Sequence, residues 1–501
     1  MTPLIDAVAT HARTRPHATA CIDLESGGRW TYAALNRDVD RTAAWLVKAL
    51  GPASAARVAA VARNSVALLV LHLAAIRAGA IFVPLNWRLA LPEIADLLED
   101  AQPALLFHDA EFEIPSFGGS RYVLADLALL VADTPMNQHL ASPHSADLPA
   151  TLLYTSGTSG RPKGVIVTES NAFWGSTNFN LGNDVTMRSV FLCDMPMFHT
   201  AGLFAAVRSP LLAGATVLIS RGFHAPKTLA RLGDRLLGVT HYFSVPQMAQ
   251  ALWQHPTFDA NMLRQLTVYA MGGAPNPAAQ IERFVRAGVK MSDGFGMTET
   301  CSNFGMPTHD PQLLLAKAGS CGLPYMSLRA RVVDDDGRDL GDGERGELWL
   351  RGPSITPGYW NKPELTAAAF CDGWFKTGDT ALRDRDGFYY LVDRKKDMYI
   401  SGGENVYPAE VEAVLAEIEG IAEVAVIGVP DVRWGEVGYA FIVASPGQSF
   451  STDEVLAHCR TRLAGFKAPA RVVFTDSIPR TPSGKIQKHV LKSLVLQQAH
   501  Q

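Results

Sequence analysis

The chain has 501 residues, 48% hydrophobic and 19% charged, with a formal net charge of −4. That length predicts two to four folding units with a large core, and the absence of any Lys/Arg block argues against a nucleic-acid partner. Six cysteines (Cys21, Cys193, Cys301, Cys321, Cys371, Cys459) show neither CxxC nor metal-type spacing, which points to reduced thiols and a cytoplasmic setting.

In chain order, residues 1–16 carry His11, Arg13 and Arg15 and no apolar run, so no signal peptide is expected. Residues 57–62 read as a strand, 65–78 as a buried helix and 80–84 as a strand. The apolar stretch 65–85 contains His72, Arg77 and a break at Gly79, so no integral membrane segment is expected. Residues 103–108 and 215–220 read as short apolar strands. Residues 266–271, the turn GGAPNP and a helix over 278–287 form a strand–turn–helix unit. This alternation predicts α/β layers with mostly parallel sheets, arranged as two α/β subdomains. The polar, Pro/Ser-rich stretch 132–149 reads as a surface connection. From about 319 to 392 Gly and charge become frequent, and short strands between tight turns predict a small antiparallel, barrel-like subdomain. DRKKDMYISGGENVYP, 393–408, reads as an exposed linker. A helix, two strands and a further helix then make a compact α+β C-terminal domain. The boundaries follow: 1–392 for the large N-terminal domain, 393–396 for a hinge, 397–501 for the small domain. Residues 497–501 carry no expected lipidation or peroxisomal signal.

The chemistry begins at YTSGTSGRPKGV, 154–165. Gly fills no core, but its backbone N–H groups approach a ligand closely. Thr155, Ser156, Thr158 and Ser159 add hydroxyls, Gly157 and Gly160 add freedom, and Lys163 adds a point charge. A strand ends at residue 154 and another runs over 165–167, so the loop is aimed at an anion such as a polyphosphate. It is not the GTPase phosphate loop, because Lys163 is followed by Gly164 and not by Ser or Thr. Ser/Thr/Gly runs are also ordinary turns, so the rest of the chain decides.

That loop, together with GFGMTET (294–300), FKTGD (375–379), DRKKDMYISGGENVYP (393–408) and PRTPSGKIQK (479–488), resembles the adenylate-forming superfamily of acyl-CoA synthetases, adenylation domains and beetle luciferases. The resemblance covers essentially the whole chain, in the family's motif order. It implies ATP and Mg2+ as cofactors, CoA as co-substrate, and a small mobile C-terminal domain. A carboxylate and ATP are both anions, so such a site must screen charge and align the attacking oxygen with the α-phosphorus.

By this resemblance the loop 155–163 grips the β- and γ-phosphates, Thr158 and Glu299 hold magnesium, and Thr298 meets the α-phosphate. Gly273, Ala274 and Phe295 wall the adenine slot. Asp379 and Arg394 meet the ribose. Lys485, at the tip of a Pro- and Gly-stiffened turn, bridges the acid and the α-phosphate. Lys396 is the pivot of a domain rotation that separates the two half-reactions. Gly402 and Gly403 line the pantetheine channel, and Trp434 walls the CoA site. His199 stands at the mouth of the acyl pocket; a lone His in an apolar run is otherwise a core residue. The amino-acid-loading relatives carry an Asp where Phe198 and His199 stand, and malonate-type relatives carry a second His where Ala201 stands.

The acyl pocket is expected from Phe198, Phe204, Phe243 and Val245, with Met248, Met297, Phe304 and Met306. These suit an apolar aliphatic or aromatic monocarboxylic acid, although Met and Phe stripes are also plain core. A freestanding enzyme that loads a carrier protein is the alternative. Neither the oligomeric state nor the acid is legible.

Overall fold

A computed structural model describes the chain apart from residues 1–4, 52–54, 136–144, 156–161, 275, 395–396, 402–403, 432–433, 464, 481–485 and 499–501, and apart from the side chains of 393, 394, 400, 404, 405 and 498. The run Ile81–Leu85 is apolar throughout, and all five residues are buried, the pattern of a strand covered on both faces. It pairs in parallel with Arg57–Val61, which pairs in parallel with Leu105–His108. These strands belong to a six-stranded sheet. That sheet is parallel except at one edge, where Pro149–Thr155 and Lys163–Thr168 form an antiparallel hairpin.

A second, nine-stranded sheet repeats the plan. Val190–Cys193, His241–Ser244, Val268–Met271 and Met291–Met297 run parallel. Met291–Met297 then turns back on Cys301–Gly305 as an antiparallel hairpin. One apolar core fills the space between the two sheets. It takes Val58, Phe82 and Leu105 from the first, Phe191, Val217 and Ala270 from the second, and Leu35, Leu69 and Leu71 from the helices between. The helix Val66–Arg77 is apolar nearly all round because it lies inside this layer.

From Arg329 to Arg394 a five-stranded antiparallel sheet follows, as the turn-rich sequence predicts. The C-terminal residues build a separate sheet around Ile421–Asp431 and Gly435–Ala444. The helices Pro408–Leu415 and Thr452–Arg462 contribute Val411, Leu415, Val455 and Leu456 to its core. The two parts touch through Arg345, whose guanidinium lies 3.3 Å from Glu410 and 5.2 Å from the Tyr407 ring centroid, and through Gln250, which donates to the Ala422 carbonyl at 3.2 Å. No described helix is long and apolar enough to cross a membrane. All six cysteines are free thiols, five of them buried.

Candidate active site

Both sheets present an antiparallel hairpin on the same side of the core, and the two hairpins carry opposite charges. In the first, Thr155 and Lys163 are register partners at the mouth of the loop. Ser156, Gly157, Thr158, Ser159 and Gly160 lie outside the described residues. Thr168 caps the helix Glu169–Gly182 that follows: its Oγ1 accepts from the Asn171 N–H at 3.0 Å, and Asn171 Oδ1 accepts from the Thr168 N–H at 3.1 Å.

In the second hairpin Met297 pairs with Cys301, so Thr298 and Glu299 sit in a three-residue turn closed by Thr300 N–H to Met297 O at 3.1 Å. Glu299 is only 8% exposed. Its carboxylate accepts a hydrogen bond from the Tyr359 phenol at 3.0 Å, and its carbonyl accepts from the Thr356 N–H at 2.7 Å. The Tyr359 ring in turn faces Lys163, whose Nζ is 5.5 Å from the ring centroid. Burial first, and then the Glu299 carboxylate, push the Tyr359 phenol well above its ordinary range, so it stays protonated and donates. The hairpin packs on the helix at Gly175, where a Cβ would come within 2.5 Å of Cys301 Cβ; only Gly permits that approach.

Some of the residues expected to wall the adenine slot lie near one another. Met271 and Asp293 are register partners, which places Gly273 and Ala274 beside Phe295 just beyond them. A Cβ on Gly272 would lie 3.6 Å from Phe243, and one on Gly273 3.5 Å from Val245, so the slot abuts two of the expected acyl-pocket residues. Asp379 is buried in the strand Trp374–Arg383, directly opposite Arg394 in the neighbouring strand; the Arg394 side chain is outside the described residues. Asp293, which no motif reading singled out, is a buried carboxyl on the same strand face as Phe295. Burial pushes its pKa up to about 8, against hydrogen bonds from Gly294 and Asn276, and its Oδ1 has no hydrogen-bond partner.

The loop carrying Phe198 and His199 is pinned from two sides. Asn64 donates to Met195 O and accepts from Met197 N–H, both at 2.8 Å. Asp194 accepts from Ser220, from Thr228 at 2.6 Å and from Tyr242 at 3.3 Å. The rings of Phe198 and His199 lie 4.6 Å apart. Immediately afterwards Ala201–Arg208 forms a π-helix, ending with Ser209 N–H on Phe204 O. Gly202 is required at its start, where a Cβ would meet Pro196 O at 2.1 Å. Arg208 closes the π-helix by donating to Glu169 at 2.6 Å and to His72 Nε2 at 3.0 Å. Burial and then Arg208 hold His72 well below its usual pKa, in keeping with a neutral acceptor.

The other expected pocket residues scatter. Phe204 lies against His72 in the inter-sheet core. Met248 and Met306 pack with the cluster on the far face of the nine-stranded sheet. Phe304 faces Phe295 and Tyr389 in the antiparallel subdomain. Met297 ends the strand before the Glu299 turn. Trp434 is 45% exposed on the C-terminal part. Lys396, Gly402, Gly403 and Lys485 are outside the described residues. Among the described residues no three His, Cys, Asp or Glu side chains gather to hold a metal. A lone buried carboxylate in a hydroxyl-rich setting fits magnesium held mainly by substrate phosphates.

The AMP-binding enzyme family matches residues 8–360, and the AMP-binding enzyme C-terminal domain matches residues 410–485. Feruloyl-CoA synthase of Amycolatopsis sp is 40% identical over 95% of this chain and 96% of its own. Indoleacetate–CoA ligase of Aromatoleum aromaticum is 36% identical over 98% of each chain. ATP-bound MatB from Rhodopseudomonas palustris superposes with a TM-score of 0.89 at 31% identity, over 98% of this chain and 99% of its own; the apo form of the same protein gives 0.79 at 30% identity, over the same shares of the two chains. With the motifs in family order and both family domains present, the chain belongs to the AMP-binding enzymes, the adenylate-forming superfamily its sequence resembles.

Proposed function

We propose that this AMP-binding enzyme is an acid–CoA ligase acting on an apolar, preferentially aromatic, monocarboxylic acid. The observation that carries this reading is the meeting of Lys163 and Glu299 across Tyr359. It sets a cation and a buried carboxylate at the mouth of a Gly-rich loop, as a magnesium–triphosphate ligand needs. The preference for an aromatic acid leans on the feruloyl and indoleacetate ligases among the relatives.

In the first half-reaction the acid's carboxylate oxygen attacks the α-phosphorus, pyrophosphate leaves, and an acyl-adenylate forms. In the second the CoA thiol attacks the acyl carbon and AMP leaves. Lys163 and the loop Thr155–Gly160 hold the β- and γ-phosphates, and Thr298 orients the α-phosphate. Glu299 and Thr158 would hold Mg2+, which when bound would screen the triphosphate charge. Gly273, Ala274 and Phe295 hold adenine, while Asp379 and Arg394 hold the ribose. His199 and Phe198 stand at the acyl entrance, and Phe243 and Val245 supply apolar wall next to it. Lys485 stabilises charge during adenylation. Lys396 is the pivot between domains 1–392 and 397–501, and Gly402, Gly403 and Trp434 serve CoA. The higher superposition on an ATP-bound relative than on its apo form supports a domain arrangement suited to the first step.

The test is pyrophosphate release with ATP and Mg2+ across cinnamic, indolic, benzoic and aliphatic acids, with and without CoA. Sustained turnover that requires CoA, highest with an aryl acid, is expected. Release that stops near one equivalent per enzyme even with CoA would replace CoA with a carrier-protein thiol.

A further inference from the structure

Residues 353–360, which belong to none of the motifs, are laid along the phosphate hairpin and bonded to it residue by residue. Asn171 Nδ2 donates to the carbonyls of Pro353 and Ile355 at 2.9 and 2.8 Å. Thr356 Oγ1 donates to Ile166 O at 2.6 Å. Ile166 N–H donates to Gly358 O at 3.0 Å, and Trp360 N–H to Gly164 O at 2.7 Å. On its other side the same segment holds the Glu299 turn through Thr356 N–H. Tyr359 is the one residue of the segment whose side chain reaches both halves of the site. Its phenol donates to Glu299 Oε1 and its ring lies under the Lys163 ammonium. A buried Tyr needs only some acceptor, and a main-chain carbonyl would serve. Here the acceptor is a carboxylate that is itself only 8% exposed, so the pair constrains the carboxylate as much as it satisfies the phenol.

We propose that Tyr359 is a positioning residue that fixes the Glu299 carboxylate and the Lys163 ammonium relative to one another before ATP arrives. The hydrogen bond occupies Oε1, so Oε2 is the oxygen that would be offered to Mg2+, and the ring face presents an attractive surface that keeps the Lys163 chain from folding back onto Glu299. This inference rests on the assignment of Glu299 to magnesium and sharpens it: the carboxylate is pre-oriented by a neutral donor and not by a second charge.

The experiment is calorimetric titration of ATP into the full-length enzyme, with no acid and no CoA, in Mg2+ and again in EDTA. Wild type, Tyr359→Phe, Glu299→Gln and the double variant are compared, with melting temperature as a check on folding. Wild type is expected to bind ATP more tightly in Mg2+. Tyr359→Phe should keep its EDTA affinity within about twofold while losing about tenfold of the magnesium enhancement, the scale of one hydrogen bond to a charged group. In the Glu299→Gln background the same Phe substitution should have no further effect on that enhancement. An unchanged enhancement in Tyr359→Phe, equal weakening in Mg2+ and EDTA, or a Phe effect that persists in the Gln background would each overturn the proposal. No magnesium enhancement in wild type would instead overturn the Glu299 assignment beneath it. Tyr359→Leu, which also removes the ring, should weaken ATP binding in EDTA by a further factor of about three, the scale of a partly exposed cation–π contact.

Discussion

The two site hairpins are built alike and act differently. Each is an antiparallel return beside parallel strands, the first at the edge of the six-stranded sheet and the second at the end of the parallel run of the nine-stranded one. A parallel crossover returns through a helix and covers the sheet face, whereas a hairpin returns in the plane of the sheet and leaves its tip free. The first hairpin spans a long Gly-rich loop, which suits it to wrapping an extended polyanion with backbone amides. The second spans three residues and fixes a single carboxylate. Under the function proposed above, grip and point contact come from the same architecture, with loop length as the difference.

The largest effect should come from the short hairpin. Glu299→Gln should lower acid-dependent ATP–pyrophosphate exchange about a hundredfold or more; a loss under tenfold would erase the contrast between the hairpins. Lys163→Ala leaves the loop amides in place, so a rise in the KM for ATP of about tenfold is expected. A collapse of kcat with KM unchanged would mean that Lys163 acts in the chemical step. Asn64→Ala tests a third loop, the one carrying His199. It strands a buried carbonyl and a buried N–H, which costs about 1–3 kcal/mol of stability, and it should raise the KM for the acid more than that for ATP. Equal rises would detach Asn64 from the acyl entrance.

The smallest effect concerns Asp293, beneath the short hairpin. Its folded pKa of about 8 lies above its ordinary value of 3.8, so the folded state holds a proton that the unfolded state releases between those values. The stability this contributes is whole below the unfolded value and is lost as pH rises toward 8. Asn cannot ionise. Asp293→Asn should therefore gain progressively on wild type in stability as pH rises from about 5 to about 8, read from melting curves at each pH. A difference independent of pH would place the titration elsewhere.

Much of the fold was legible. Parallel strands buried on both faces are short continuous apolar runs, so 57–62, 80–84 and 103–108 stood out, each within two residues of the strand found. The pair Thr19–Asp23 and Arg29–Thr31 did not, since both strands are short, partly polar and set at an edge. The motifs named Lys163, Glu299, Phe295 and Asp379 because their chemistry is local. Tyr359 and Asn64 escaped because their partners are 60 and 133 residues away. The pocket residues were legible as apolar but not as facing one cavity: Phe304, in the strand Cys301–Gly305, and Met306, just past its end, pack into different clusters. Asp293 carried a signal that went unread, an acid inside an otherwise small and apolar strand.

The π-helix Ala201–Arg208 has a consequence for how this enzyme's preference for acids can diverge. A π-turn closes one residue later than an α-turn, so the segment behaves as though it carries spare chain length. Its C-terminal end is clamped by the Arg208 bonds to Glu169 and His72. Deleting one residue within the segment would let it relax to an α-helix, turning its two ends by roughly 100° relative to one another; with Met197 held by Asn64 and Arg208 by Glu169, residues 198–200 would absorb that turn. The acyl entrance proposed at Phe198 and His199 is therefore open to retuning by a single-codon deletion, a larger step than any side-chain replacement there.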